Sequence, residues 1–264
     1  MTGFNLVLFG DPVEHSLSPV LQQAGLDAVG RVGTYRAIRV DADGFRQGCA
    51  DLRAGLWSGA NVTMPHKRLA AAESDERSEG AERSGSVNTL VVDGSRLVGY
   101  STDIDGIRKV WQEAGFSTDA PVVVLGAGGA AAAALIALDT HDLFISARRG
   151  EAAMHLTRMV DVVVRPVPWG TVIAGAVVVN ATPLGMGGEA LPSDVVEESS
   201  GLLDMAYRRG LTPAVQLARL AGIPHASGTD LLLAQATASF TLWTGLPAPA
   251  VQMRAALQKA QATR

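Results

Sequence analysis

The sequence predicts an α/β protein, because short apolar segments with strand character alternate with segments of helical pattern along most of its length. The alternation is most regular from residue 121 to about residue 226, where it indicates a parallel, doubly wound sheet. The length of 264 residues allows two modest domains, or one large one, with a sizeable core. A small-molecule enzyme or binding protein is therefore a reasonable first hypothesis.

Composition indicates a soluble globular protein, with 47% hydrophobic and 18% charged residues and no apolar run long enough to cross a membrane. The net charge of -4 argues against a nucleic-acid partner. The single cysteine, Cys49, excludes an internal disulfide, and nothing in the sequence suggests a metal site. The amino terminus has no basic segment followed by a cleavable apolar core, so we expect no signal peptide and a cytoplasmic location.

In chain order, the first predicted strand covers residues 4–9 and leads into His15-Ser16-Leu17-Ser18-Pro19. Ser18 suits the N-cap of the helix that follows, and Pro19 suits its first turn. Helix capping accounts for Ser18 and Pro19 but gives no role to the Ser16 hydroxyl. Ser16 and Ser18 could both donate hydrogen bonds to a small anion such as a carboxylate.

A lysine follows a predicted buried strand of apolar and small residues. Residues 56–64 are predicted to form that strand, and Pro65 ends it because proline lacks the N–H that a strand ladder needs. Lys67 therefore lies where α/β proteins usually bind ligands, at the carboxyl end of a strand. A lone lysine there is more often a solvated residue in the first turn of a surface helix, so both interpretations stay open.

The other elements of the first part follow from periodicity and turn residues. They are a strand at 35–40, a helix at 43–54, a charged helical face at 73–83, a hairpin of 90–92 with 97–100, and a helix from about 102 to 115. Asn88 precedes the hairpin, and Asp103 lies at the start of the last helix. Both are common turn and capping residues, and Asp103 gains interest only by association with Lys67.

The second part of the chain opens with a nucleotide-binding pattern. A β-branched strand at 122–125 is followed by Gly126-Ala127-Gly128-Gly129-Ala130-Ala131 and an alanine-rich helix to about residue 138. In this order Gly126 allows a tight turn, and Gly128 lets the backbone approach a pyrophosphate at the helix amino terminus. Ala131 stands at the third glycine position, a substitution that the fingerprint accommodates.

The next predicted strand, at 142–147, carries a signal for cofactor type. An NAD enzyme would place an acidic residue near its end, on the ribose hydroxyls. This chain has Ser146-Ala147-Arg148-Arg149 instead. Two arginines and no acid favour the extra phosphate of NADP, although two solvated arginines would give the same sequence.

Further strands are predicted at 162–166, 176–179 and 202–205, and helices at 213–221, 230–243 and 248–261. The last two of these strands are followed, like the earlier ones, by loops at the strand end. Gln235 interrupts the apolar run of the long helix, and it is costly to bury without partners. The helical phase leaves open whether Gln235 faces solvent.

Taken together, these segments resemble the shikimate dehydrogenase family along essentially the whole chain. The shared motifs, in order, are residues 10–12 with 15–19, 61–67, 86–89, 102–103 with 106, 126–131, 182 with 185–186, 204 with 207, and 228 with 235–236. The resemblance implies NADP-dependent reduction of 3-dehydroshikimate to shikimate in the aromatic amino acid pathway. It also implies a discontinuous α/β substrate domain, residues 1–102 and 229–264, with an inserted Rossmann-type NADP-binding domain at 103–228.

The resemblance also implies roles for individual residues. Lys67 and Asp103 would form the catalytic pair. The side chains that would bind the substrate carboxylate or ring hydroxyls are Ser16, Ser18, Thr63, Asn88, Gln235 and, reaching in from the other domain, Tyr207. The residues that would bind NADP are Gly126, Ala127, Gly128, Gly129, Ala130, Ser146, Arg148, Arg149, Thr182, Met205, Gly228 and Leu231. The oligomeric state would be monomer or homodimer.

The chain departs from the family pattern at several positions: Gln22, Ser101, Ala132, Ala147, Asp230 and Leu231. Ala132 and Ala147 bear on NADP binding, and Asp230 with Leu231 bears on the choice among related cyclohexane acids. Two alternatives therefore stay open. One is a sibling enzyme that acts on quinate or aminoshikimate, with NADP or NAD. The other is a catalytically silent binding protein on the same fold.

Overall fold

The computed structural model describes residues 3–263, which form two compact units, each built on a six-stranded sheet. Residues 3–102 and 235–263 belong to unit 1, and residues 103–234 belong to unit 2. No helix in the described part of the chain is both long and apolar enough to cross a membrane. Within the same residues, no three His, Cys, Asp or Glu side chains are grouped so that they could hold a metal ion.

The chain leaves unit 1 at the start of helix α5 (Thr102–Ala114) and returns to it inside helix α10 (Gly228–Thr244). The return comes at Gln235, whereas the sequence placed it at residue 229. The reason is that α10 contributes to two cores. Its early residue Leu231 packs in the core of unit 2, and its later residue Phe240 packs in the core of unit 1.

The sheet of unit 1 is mixed, with the strand order β2-β1-β3-β5-β6-β4. Its strands are β1 (Phe4–Gly10), β2 (Gly33–Arg39), β3 (Gly59–Val62), β4 (Glu76–Arg77), β5 (Thr89–Asp93) and β6 (Arg96–Tyr100). Its other helices are α1 (Ser18–Ala28), α2 (Ala42–Arg53), α3 (Lys67–Glu73), α4 (Glu79–Ser84) and α11 (Ala250–Thr263). Strand β1 runs parallel to β2 and β3, and β5 is antiparallel to β3 and β6.

Strand β1 is buried on both faces, which explains its continuous apolar sequence. Successive side chains of a strand point to opposite faces. Val7 and Phe9 pack with the residues of α2, including Phe45, and Leu6 and Leu8 pack on the other side of the sheet. Helices therefore cover both faces of the unit 1 sheet.

Unit 2 has the predicted parallel, doubly wound sheet, and the predicted fold class is confirmed. Its strands are β7 (Val122–Leu125), β8 (Leu143–Ser146), β9 (Val164–Val167), β10 (Val177–Asn180), β11 (Gly201–Asp204) and β12 (His225–Ala226), in the order β12-β11-β10-β7-β8-β9. Its other helices are α6 (Gly129–Ala137), α7 (Gly150–Met159), α8 (Ser193–Glu197) and α9 (Pro213–Leu220). The strand order reverses between β7 and β10, and ligands bind at such switch points in open α/β sheets.

Two sequence-based expectations for secondary structure are wrong in detail. The predicted helical face at 73–83 is interrupted by β4, and α4 begins only after Ser78, whose hydroxyl accepts from Ala81 N–H as an N-cap. Helix α7 was not predicted. Only Ala153 and Leu156 of α7 are buried, so its periodic signal is weak.

Candidate functional site

One edge of the unit 1 sheet gathers the residues predicted to bind substrate. Because β1 and β3 are parallel neighbours, the segments that follow them leave the sheet at the same edge. Backbone bonds join these segments, from Asp11 N to Met64 O at 2.8 Å and from Thr63 N to Phe9 O at 2.9 Å. Strand β5 begins and β6 ends at this edge too, because Asn61 pairs with Thr89. The edge thus carries Ser16, Ser18, Thr63, Lys67, Asn88 and Thr102.

Ser16 and Ser18 are linked by a local hydrogen bond, in which Ser18 N–H donates to Ser16 Oγ at 3.2 Å. The prediction that Ser18 caps helix α1 is wrong, because Leu17 holds the N-cap position and no side chain caps this helix. Ser18 already has a helical backbone, so its hydroxyl is not used as a cap. Both hydroxyls can still donate to an acceptor-only group such as a carboxylate.

Thr63 and Lys67 are positioned by close packing and by a backbone bond. A Cβ at Gly10 would lie 2.2 Å from Thr63 Cγ2, so the end of β1 needs a glycine beneath Thr63. Lys67 is the first residue of α3, and its carbonyl oxygen accepts from Val87 N–H at 3.0 Å. This bond fixes the start of α3 against the segment that leads to Asn88.

Asn88 is buried, and it brings the start of α5 and Gln235 together. Thr102 N–H donates to Asn88 Oδ1 at 2.8 Å, and Asn88 Nδ2 donates to Gln235 Oε1 at 3.3 Å. The sequence left open whether Gln235 faces solvent. Gln235 is partly buried, and it contacts Asn88, which is predicted to bind the substrate. Asp103 is the next residue after Thr102 and begins unit 2. Its pairing with Lys67 stays a prediction.

A cluster of buried hydroxyls beside Asn88 was not predicted. Thr89 Oγ1 lies 2.8 Å from Ser239 Oγ and 3.2 Å from Thr102 Oγ1. Ser239 Oγ and Thr102 Oγ1 are themselves 3.2 Å apart. Asn61 Nδ2 donates to this cluster, at 3.0 Å from Thr89 Oγ1 and 3.1 Å from Ser239 Oγ. Ser239 follows Gln235 by one helical turn, and this spacing is the one sequence signal that could have pointed to it.

The carboxyl edge of the unit 2 sheet collects the residues predicted to bind the cofactor. The glycine-rich turn follows β7, the two arginines follow β8, Thr182 follows β10 and Met205 follows β11. These four strands are parallel, so their carboxyl ends lie at one edge. Backbone bonds connect the ends, from Gly126 N to Ser146 O at 2.9 Å and from Met205 N to Asn180 O at 3.0 Å.

The geometry of the glycine-rich turn fits a pyrophosphate. Gly126 has a φ of +111°, and a Cβ there would lie 2.9 Å from Ala181 O, so the turn requires glycine. Gly128 is the N-cap of α6, which has no side-chain cap, and a Cβ at Gly128 would meet nothing within 4 Å. Uncapped N–H groups at the start of a helix, beside a glycine with open space at its Cβ position, suit a phosphate group.

The other predicted cofactor residues differ in what their side chains can offer. Ser146 is fully buried, and its hydroxyl donates to Pro168 O at 2.9 Å and accepts from Gly170 N–H at 3.2 Å. Arg148 and Arg149 are exposed directly before α7. The arginines can therefore reach a ligand, whereas the Ser146 side chain is already engaged within unit 2.

Gly228 and Leu231 lie at the start of α10. A Cβ at Gly228 would lie 2.4 Å from Ala206 O, so this turn also needs a glycine next to the end of β11. Leu231 is 5% exposed and belongs to the core of unit 2. Packing alone therefore accounts for these two positions, and their contact with a cofactor stays a prediction.

Similarity to known proteins extends over nearly the whole chain. It is 34% identical to the shikimate dehydrogenase (NADP(+)) of Desulforamulus reducens, over 96% of this chain and 94% of that protein. It is 36% identical to the Moorella thermoacetica protein of the same name, over 97% of this chain and 92% of that protein. The family model described as the shikimate dehydrogenase substrate binding domain matches residues 8–90, and that of the shikimate 5'-dehydrogenase C-terminal domain matches residues 228–258.

The chain belongs to the shikimate dehydrogenase family. The family resemblance predicted from the sequence motifs is thereby confirmed. The fold agrees as well: the chain is similar, with a TM-score of 0.89 and 30% identity, to the crystal structure of shikimate 5-dehydrogenase from Thermus thermophilus in complex with NADP(H) and shikimate. That similarity covers 97% of this chain and 99% of the solved one.

This member of the shikimate dehydrogenase family has a second polar network that the sequence did not predict, at the ends of β10 and β11. Asp204, which has no exposed surface, accepts from Asn180 Nδ2 at 2.8 Å and from Ala206 N–H at 3.1 Å. It also accepts from the Thr212 hydroxyl. Burial raises the pKa of Asp204 above its ordinary value, and the hydrogen bonds from Thr212, Asn180 and Ala206 act in the opposite direction.

The Asp204 network orders the loops that carry two predicted cofactor residues. Asn180 Oδ1 accepts from Thr182 N–H at 3.0 Å and from Thr182 Oγ1 at 2.6 Å. Met205 lies directly after Asp204. An aspartate that ends an apolar strand is a recognisable sequence signal, but its partners lie 8 and 24 residues away and have no common motif.

Proposed function

We propose that this protein is an NADP-dependent oxidoreductase that reduces 3-dehydroshikimate to shikimate and catalyses the reverse oxidation. The observation that carries the proposal is the joint placement of serines, Thr63, Lys67 and Asn88 at one sheet edge of unit 1. The chain has this arrangement while being 34% and 36% identical to relatives of that activity over almost its full length.

The substrate is held, in this proposal, by side chains that match its chemistry. Ser16 and Ser18 donate to the carboxylate, which can only accept. Thr63, Asn88 and Gln235 bond the ring hydroxyls, and the contact of Asn88 with Gln235 supports their joint role. Tyr207, in the loop after β11, is the further residue that we assign to the substrate.

Lys67 and Asp103 carry the acid–base chemistry. Reduction of a ring ketone needs a hydride at the carbonyl carbon and a proton at the carbonyl oxygen. NADPH supplies the hydride when it is bound. The Lys67 ammonium gives its proton to the oxygen and recovers one from solvent, and the Asp103 carboxylate accepts a hydrogen bond that orients the reacting group.

The cofactor is assigned to unit 2. Residues Gly126, Ala127, Gly128, Gly129 and Ala130 would hold the pyrophosphate, in agreement with the open backbone at Gly128. Arg148 and Arg149 would bind the 2′-phosphate that distinguishes NADP from NAD. The remaining contacts fall to Thr182, Met205, Gly228 and Leu231, whereas the buried Ser146 hydroxyl stays engaged with Pro168 and Gly170. A cytoplasmic location and a monomeric or homodimeric state stay predictions.

Replacing both arginines with alanine, Arg148→Ala with Arg149→Ala, should raise the KM for NADPH by about tenfold to a hundredfold. Charge-assisted hydrogen bonds to a phosphate are worth about 1.5–3 kcal/mol, and NADH lacks this phosphate. The KM for NADH should therefore stay the same. Arg158→Ala, at the other end of α7, is the matched control and should change neither value. An equal loss with both cofactors would argue against a phosphate contact.

Steady-state rates with both cofactors and three acids test the function itself. Shikimate with NADP should give the highest kcat/KM, and quinate and aminoshikimate should be slower. A preference for quinate or aminoshikimate would assign the chain to a sibling enzyme. No NADPH oxidation with 3-dehydroshikimate would leave the binding protein as the better hypothesis.

A further inference from the structure

The hydrogen-bond network around Asn88 has a fixed direction. A backbone N–H can only donate, so the atom that Thr102 N meets at 2.8 Å is the oxygen of the Asn88 amide. The amide nitrogen therefore faces Gln235, and because it donates, the atom of Gln235 at 3.3 Å is the oxygen Oε1. The groups of the two amides that stay available to a ligand are mainly N–H donors. They are the Nε2 group of Gln235 and one Nδ2 proton of Asn88.

A buried hydroxyl supports the orientation of the Asn88 amide, and a second one anchors the backbone of Gln235. Thr102 Oγ1 donates to Asn88 Oδ1 at 3.2 Å. Ser239 Oγ donates to Gln235 O at 3.0 Å, so its single proton is used and it accepts from Asn61 and Thr89. A reversed Asn88 amide would set its NH2 group against the Thr102 N–H in a buried place, so two donors would lack an acceptor.

We propose that this network makes the enzyme select a ring oxygen over a ring ammonium at the position that Asn88 and Gln235 contact. The inference rests on the proposed function and narrows its substrate class to hydroxylated, non-aminated ring acids. A hydroxyl oxygen accepts from the two amides. An ammonium group has only donors, so it would meet both amides donor to donor.

The polarity of Gln235 can be reversed with one isosteric substitution, Gln235→Glu. One carboxylate oxygen still accepts from Asn88 Nδ2, and the other replaces the Nε2 donor with an acceptor. We expect kcat/KM for shikimate to fall by about tenfold to a hundredfold and kcat/KM for aminoshikimate to rise. Gln252→Glu adds the same charge at an exposed position of α11 and should leave the ratio of the two values unchanged.

The outcomes separate the inference from the proposed function. An equal loss for both substrates in Gln235→Glu would overturn the selection of a ring oxygen, while shikimate turnover by the unchanged enzyme would still support the function. If the wild-type enzyme does not turn over shikimate, the proposed function is wrong, and so is the inference that rests on it. A ratio that shifts toward aminoshikimate only in Gln235→Glu supports both.

The role of the hydroxyls is tested at Thr89, which acts here as a positioning residue. Thr89→Val keeps the shape but removes the hydroxyl that accepts from Asn61 and donates to Ser239, and Thr89→Ser restores it. We expect Thr89→Val to lower the shikimate to aminoshikimate ratio by about tenfold, mainly through the KM for shikimate, and Thr89→Ser to recover the ratio. Lower thermal stability with an unchanged ratio would limit Thr89 to a structural role and overturn its part in selection.

Discussion

Replacing Lys67 with alanine is expected to lower kcat for shikimate oxidation by at least about a hundredfold while the KM for shikimate changes little. The expected split follows from the proposed role, because a proton donor acts on the transition state, whereas Ser16, Ser18 and Asn88 bind the substrate. Steady-state kinetics with saturating NADP would measure both constants. Near-normal turnover in Lys67→Ala would show that Lys67 is not the proton donor.

Two further variants separate proton transfer from packing at this position. Lys67→Met keeps a long side chain without an ionisable group, so its kcat should fall as far as that of Lys67→Ala. Arg68→Ala removes the exposed cation next to it in α3 and should keep kcat within about a factor of two or three, as surface substitutions usually do. Recovery of activity in Lys67→Met would assign Lys67 a packing role instead.

Asp204→Ala is expected to destabilise unit 2 and weaken cofactor binding together. The substitution leaves donors of Asn180, Ala206 and Thr212 without their acceptor in a buried place, which we estimate to cost about 3–5 kcal/mol. The thermal midpoint should fall by on the order of 10 °C. The KM for NADPH should rise about tenfold to a hundredfold, because the loop of Thr182 loses its anchor.

Asp204→Asn is the matched milder change. The asparagine keeps an oxygen for Asn180 and Ala206, so most of the stability and of the NADPH affinity should remain. Asp194→Ala removes an exposed aspartate of α8 in the same unit and should alter neither property. Thermal melting followed by circular dichroism, together with KM measurements, would check all three variants. Equal loss in Asp204→Asn and Asp204→Ala would show that the charge matters more than the geometry.

Local patterns in the sequence were enough to predict most elements and several site positions. The glycine-rich turn at 126–130 was predictable because a strand, a tight turn and a helix follow each other directly along the chain. Lys67 was predictable as a residue after a buried strand, and its role came from the family resemblance. The doubly wound sheet followed from the regular alternation of strands and helices.

The tertiary structure alone decided which polar groups meet and in which orientation. Asn61 and Ser239 are 178 residues apart, and Asn88 and Gln235 are 147 residues apart, so no local pattern connects them. The same holds for the division of α10 between two cores and for the donors around Asp204. Periodicity reports which face of an element is apolar, whereas the direction of a buried hydrogen bond depends on partners that only the folded chain brings within about 3 Å.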